Sequence, residues 1–181
     1  MTKQTNDAAR VQLMLIVLVG LGSLGGAWLL YWLAVQGGVW GSTNNGRFVE
    51  PPLTVAELDL RSADGAPFAT DGKWWLWVVT DGECADACRH AVHQLRQLHV
   101  LLNRDASRVR RALVTGGGEA DPALLERYPQ LEVLSGNLAR LEVGLYIVDP
   151  IGNLVLHYPM SDAGEPVLDD LERLLEASHI G

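Results

Sequence analysis

Two side chains in this sequence can both change oxidation state and bind a soft metal: Cys84 and Cys88, its two cysteines. They stand four residues apart within Gly72 to Arg104, GKWWLWVVTDGECADACRHAVHQLRQLHVLLNR. Thiols at that spacing can close a disulfide, cycle between dithiol and disulfide, or grip a metal as thiolates, and the residues alone leave these readings open. A purely structural disulfide is the plainest of them for an exported domain. A loop this short, however, gains less from cross-linking than a long one. His157, beside Tyr158 and Met160, is a further candidate metal ligand if its strand runs near the cysteine loop. Met160 reads as loop packing. His90, His93 and His99 follow the cysteines on a helix and are expected to face solvent, as is the carboxylate of Glu83. The sequence contains no Ser-His-Asp order, paired-carboxylate motif or HExxH, so hydrolysis has no named machinery.

The cysteines need elements to hold them, and the pattern around them supplies two. Trp74 to Val79 is a short apolar run of β type, while Ala91, Leu95, Leu98 and Leu102, at steps of four, three and four, give a helix one apolar face. A strand-to-helix junction brings unpaired backbone N–H groups and the positive end of the helix dipole to the sulfurs, which stabilises a thiolate. Elsewhere Thr54 to Leu60 reads as a strand or short helical turn, and Ser62 to Gly65 as a turn. Val109 to Thr115 is a strand candidate ended by Gly116 to Gly118, which lacks the lysine of a phosphate loop. Asp121-Pro122 opens a short helix to about Tyr128, and Leu131 to Leu134 is a brief strand. Leu145 to Val148 and Asn153 to Tyr158 flank the turn Asp149-Pro-Ile-Gly152 as a hairpin. Glu165 to Ser178 carries an apolar stripe and covers the sheet. This order predicts an α/β domain, a mixed sheet of about four or five strands with helices on both faces.

Val11 to Val35 carries no charged residue over 25 positions, more than the roughly 20 needed to cross a bilayer. It reads as an uncleaved transmembrane helix, because the apolar run continues into Trp28, Tyr31 and Trp32 where a cleaved signal would end in small residues. Lys3 and Arg10 precede it and the next basic residue is Arg47, which places the N-terminus in the cytoplasm. The expected organisation is therefore a cytoplasmic N-terminus (1–10), a transmembrane helix (11–35), a linker (36–53) and an extracytoplasmic domain (54–181). That makes a single-pass inner-membrane protein with a periplasmic or equivalent domain. Gly22 and Gly26 offer a smooth face where a second helix could pack. Of 14 basic and 22 acidic residues, Lys3, Arg10 and Asp7 lie before the span, so 12 and 21 follow it, a formal charge of −9. Nucleic acid is excluded as a partner, since phosphate binding needs clustered Lys and Arg.

With GKWWLWVVT leading into Cys84-Ala-Asp-Ala-Cys88 and LYIVDPIGNLV downstream, residues 55 to 177 resemble the Sco/SenC family of membrane-anchored, thioredoxin-like copper chaperones for cytochrome c oxidase. The resemblance implies a thioredoxin-like fold and a Cu(I) site with Cys84 and Cys88 as thiolate ligands. It also implies partners among haem–copper oxidase subunits or other assembly factors. The family's third ligand is a histidine about eight residues before the Asp-Pro of the hairpin; Gly136 to Gly144 contains none, and Leu141 stands at that position. Ala85-Asp86-Ala87 likewise lacks the proline common inside the family's CxxxC. The resemblance supports copper handling or thiol–disulfide exchange, the latter as a thiol-disulfide oxidoreductase. The alternative is a non-catalytic assembly or scaffold subunit with a structural disulfide.

Overall fold

The computed structural model describes residues 3–35, 43–117 and 120–178. In chain order its elements are α1 (Lys3–Val35), β1 (Arg47–Thr54), β2 (Arg61–Ser62), β3 (Trp74–Thr80), α2 (Asp86–Leu101), β4 (Val109–Thr115), α3 (Pro122–Arg127), β5 (Leu131–Ser135), β6 (Gly144–Val148), β7 (Asn153–Tyr158) and α4 (Glu165–Ala177). The chain divides into two units, Met1–Thr43 and Asn44–Gly181. In the first, Arg10–Val35 is long and apolar enough to cross a membrane. A Cβ placed at Gly22 or Gly26 would meet open space.

The second unit is one seven-stranded mixed sheet in the order β1-β7-β6-β3-β4-β5-β2. Every residue of β3 is buried, because β3 pairs parallel with β4 and antiparallel with β6 and is covered on both faces. A strand so placed must be apolar on successive residues rather than alternating, and WWLWVV is. The connections β3-α2-β4 and β4-α3-β5 both step the same way along the sheet. Right-handed crossovers therefore put α2 and α3 on one face. The helix α4 joins them: Trp74, Leu76 and Val78 pack with Ala91 and Leu95 of α2, Leu124 of α3, and Val167 and Leu171 of α4. The expectation of helices on both faces is thus corrected. The second face, Trp75, Trp77 and Val79, is covered by Leu53, Val55, Leu58 and Leu60 of the N-terminal segment. Phe68 stands edge-on at 4.8 Å from Trp75 and 5.7 Å from Trp77.

The two strands beyond the expected count of four or five come from segments that read as loop. Most of β1 falls in the expected linker, which therefore cannot extend to Leu53; residues 36–42 of that linker lie outside the described residues. Pro51 and Pro52 hide the strand in the sequence, yet proline is tolerated there because β1 lies at the sheet edge, and its pairing with β7 shifts register between Phe48 and Leu53. The hairpin follows its turn chemistry: Asp149 Oδ1 accepts from the N–H of Ile151 at 3.0 Å and of Asn153 at 2.8 Å. Gly152 takes φ +97°, which favours glycine.

Chain entry into the domain is held by a buried carboxylate. Asp170 Oδ2 on α4 accepts from the N–H of Asn45 (2.7 Å), the N–H of Gly46 (2.8 Å) and the hydroxyl of Tyr158 (2.8 Å). Gly46 packs so closely on the Tyr158 ring that any Cβ would collide with it. Burial, then the hydrogen bond to Asp170 and its charge, push the Tyr158 hydroxyl above the ordinary tyrosine range, so it remains a donor. Asp170→Ala would strand the buried donors of Gly46 and Tyr158 and free the half-buried N–H of Asn45, and we expect it to destabilise the domain by about 3 kcal/mol in urea unfolding at pH 7. A loss below about 0.5 kcal/mol, the range of an ordinary surface change, would contradict the clamp.

Candidate functional site

Beyond Thr80 the chain leaves the sheet, runs through Asp81 to Ala85 and enters α2 at Asp86, with Ala85 as N-cap. Alanine offers no capping oxygen, and side chains of the first turn itself brace the junction. Arg89 donates from Nη1 to the Cys84 carbonyl at 2.9 Å and from Nη2 to Asp86 Oδ1 at 2.6 Å. Arg89 is about half exposed and Asp86 almost fully so, and a surface ion pair of this kind contributes little to stability. Its effect is to fix the loop carrying Cys84 against the turn carrying Cys88.

The two cysteines are joined as a disulfide with Cα atoms 5.1 Å apart, inside the range a disulfide spans without moving the backbone. Cys84 is 9% exposed and Cys88 4%. Both belong to the core cluster beneath α2, and Met160 packs against that cluster, as expected of loop packing. Cys84 precedes the helix and Cys88 sits in its first turn, so the pair stands at the positive end of the helix dipole. Glu83 is exposed.

The histidines are distributed differently from the sequence expectation. His90 is exposed, but His93 and His99 are half-buried. His93 Nδ1 shares a hydrogen bond with the Tyr128 hydroxyl at 3.1 Å. His157 is 9% exposed, and it is turned away from the cysteines. Leu156 and Tyr158 belong to the cluster that contains Cys84 and Cys88, so alternation along β7 sends His157 to the other face. There its ring lies 4.7 Å from that of Tyr146, and its Nδ1 is 3.4 Å from Arg47 Nη2. Burial first, against the nearby Glu142 charge, holds His157 below the usual histidine range. Its expected role as a ligand beside the cysteines is corrected by this placement. Leu141 packs against the same second face, and among the described residues no group of three or more His, Cys, Asp or Glu stands together to hold a metal. Two soft thiolates, released on reduction, are the donor set this end of the sheet offers; they suit Cu(I) by type.

A mixed sheet whose central strand ends at a cysteine pair, with the second cysteine in the first turn of the following helix, defines a thioredoxin-like domain. A family profile described as the transmembrane-like, thioredoxin-like, C-terminal domain matches residues 74–178, and the chain belongs to that family. Among solved structures, the domain is similar to apo Sco1 from Thermus thermophilus at 18% identity and TM-score 0.55, covering 74% of this chain and 99% of that one. It is also similar to yeast Sco1 with copper bound at 17% identity and TM-score 0.53, covering 76% of this chain and 96% of that one. At these identities the likeness is one of fold. No curated protein matches.

Exposure and position rank the two sulfurs. After reduction, a limiting dose of iodoacetamide is expected to label Cys84 several-fold faster than Cys88, read by peptide mass spectrometry. Equal or reversed labelling would contradict the geometry.

Proposed function

We propose that this protein is a membrane-tethered thiol–disulfide exchange module that serves the assembly of a haem–copper oxidase, with a partner's copper-binding cysteines as its substrate. The observation that carries the reading is the disulfide placed between the end of the central strand and the first turn of α2, where a thiolate is stabilised by backbone N–H groups. In the reducing direction the Cys84 thiolate attacks one sulfur of the partner's disulfide, forming a mixed disulfide and releasing one partner thiolate. Cys88 then displaces the second, so two electrons and two protons pass to the partner and Cys84–Cys88 closes. A membrane dithiol donor must reopen it. The fold shared with Sco1 structures supports the oxidase context, and the apolar helix with Lys3 and Arg10 before it supports a domain held outside the cytoplasm.

Copper delivery by the same two sulfurs is the second reading, favoured by two soft donors held four residues apart. The third, a scaffold with a staple, has less to recommend it: a disulfide closing so short a loop stabilises by only about 2 kcal/mol. The double variant Cys84→Ser/Cys88→Ser separates the three. Exchange predicts a folded protein, at least a tenfold loss of assembled oxidase, and rescue by a membrane-permeant thiol reductant. Rescue by added copper alone would favour delivery. Normal oxidase with the variant would leave the scaffold.

A further inference from the structure

The opposite end of α2 from the cysteines holds a buried cation that no carboxylate answers. Arg111, the third residue of β4, is 5% exposed. Its Nη2 reaches only the side-chain oxygen of Gln130 at 3.5 Å, and its Nη1 is enclosed with no hydrogen-bond partner. Among the described residues no Asp or Glu lies within ion-pair distance of it, while its neighbour Arg110 takes Glu132 at 3.4 Å. His99, in the last turn of α2, presents a second enclosed atom without a partner, Nδ1. Both residues line one cavity, together with Ser107, Arg110, Gln130 and Glu132.

A guanidinium removed from water needs a counter-charge or a full set of acceptors, and this one has neither. Like charges gather around it instead. Burial and then the Arg96 charge draw Arg111 below its usual range, and burial and then the Arg111 charge draw His99 down as well. In a domain of strongly acidic balance this cavity is a local reversal of sign, with two enclosed nitrogens that lack partners. We propose that it is an oxyanion site, taking a phosphate-type group between Arg111 and His99. The planar fork of Arg111 suits two oxygens at once, and the hydroxyl of Ser107 and amide of Gln130 add neutral donors. The carboxylate of Glu132 is held by Arg110 and leaves Arg111 as the uncompensated charge. Free phosphate and the headgroup of an anionic lipid present the same chemistry, and the site lies at the far end of α2 from the redox pair, so its occupancy is independent of the proposed exchange.

The test uses the full chain with its disulfide intact and ionic strength held constant with chloride. In maltoside micelles, inorganic phosphate at ten times its dissociation constant should raise Tm by about 5 °C, and Arg111→Met should abolish the rise. If the source is lipid, the rise appears instead on moving from phosphatidylcholine to phosphatidylglycerol nanodiscs without phosphate, and Arg111→Met again abolishes it. Should that variant fail to fold, the wild type suffices: phosphate or phosphatidylglycerol should move the His99 ring titration, followed by NMR, to higher pH as the anion offsets Arg111. A Tm that responds to neither probe, a rise that persists in Arg111→Met, or an unmoved His99 titration overturns the proposal.

Discussion

Six consecutive apolar residues, Trp74 to Val79, must be dried on both sides at once, and the domain is built around that requirement. At roughly 1.5–3 kcal/mol for each large side chain fully buried, this one strand is a major part of the driving force for folding. Helices α2 and α4 close over Trp74, Leu76 and Val78, while the N-terminal segment with Phe68 closes over Trp75, Trp77 and Val79. The indole N–H of Trp75 is satisfied by the Thr70 carbonyl at 3.0 Å, whereas those of Trp74 and Trp77 are enclosed without partners. Where the strand ends, after Thr80, the chain runs through exposed Asp81 to Glu83 toward α2, and the two sulfurs are the next groups it buries. The position of the site follows from the burial of the strand.

That logic was readable in advance because a buried central strand and an amphipathic helix each leave a period in the sequence. The disulfide pair, the hairpin at Asp149 to Gly152, the Asp121 cap of α3 and the covering helix α4 all have local signals and stand where those signals put them. The edge strand β1 has no such signal, because its prolines and the glycines and asparagines before it mark it as loop. Its pairing is supplied by β7, about a hundred residues downstream. Arrangement of the helices on one face was legible in principle, since two crossovers stepping in one direction must share a side, but only once the strand order was known.

The polar interior was the least visible part. Asp170 looks like any solvated carboxylate on an amphipathic helix until Asn45, Gly46 and Tyr158 are brought to it from more than a hundred residues away and from the neighbouring strand. Arg111 reads as the basic residue after another, Arg110, yet the pleat sends one to solvent and the other beneath α2. The face of His157 is hidden in the sequence for the same kind of reason. A one-residue step along β7 changes its face, and nothing local to the sequence fixes which face the cysteines occupy.

The central claim is that Cys84 and Cys88 form a working redox couple and not a staple. The midpoint potential of the pair in the intact chain, obtained by equilibrating it in glutathione buffers and trapping free thiols, tests this most directly. A working couple is expected to show a potential above about −300 mV, reached reversibly while the domain stays folded in both states. A potential below about −300 mV, or unfolding on reduction, would contradict it and identify the disulfide as structural.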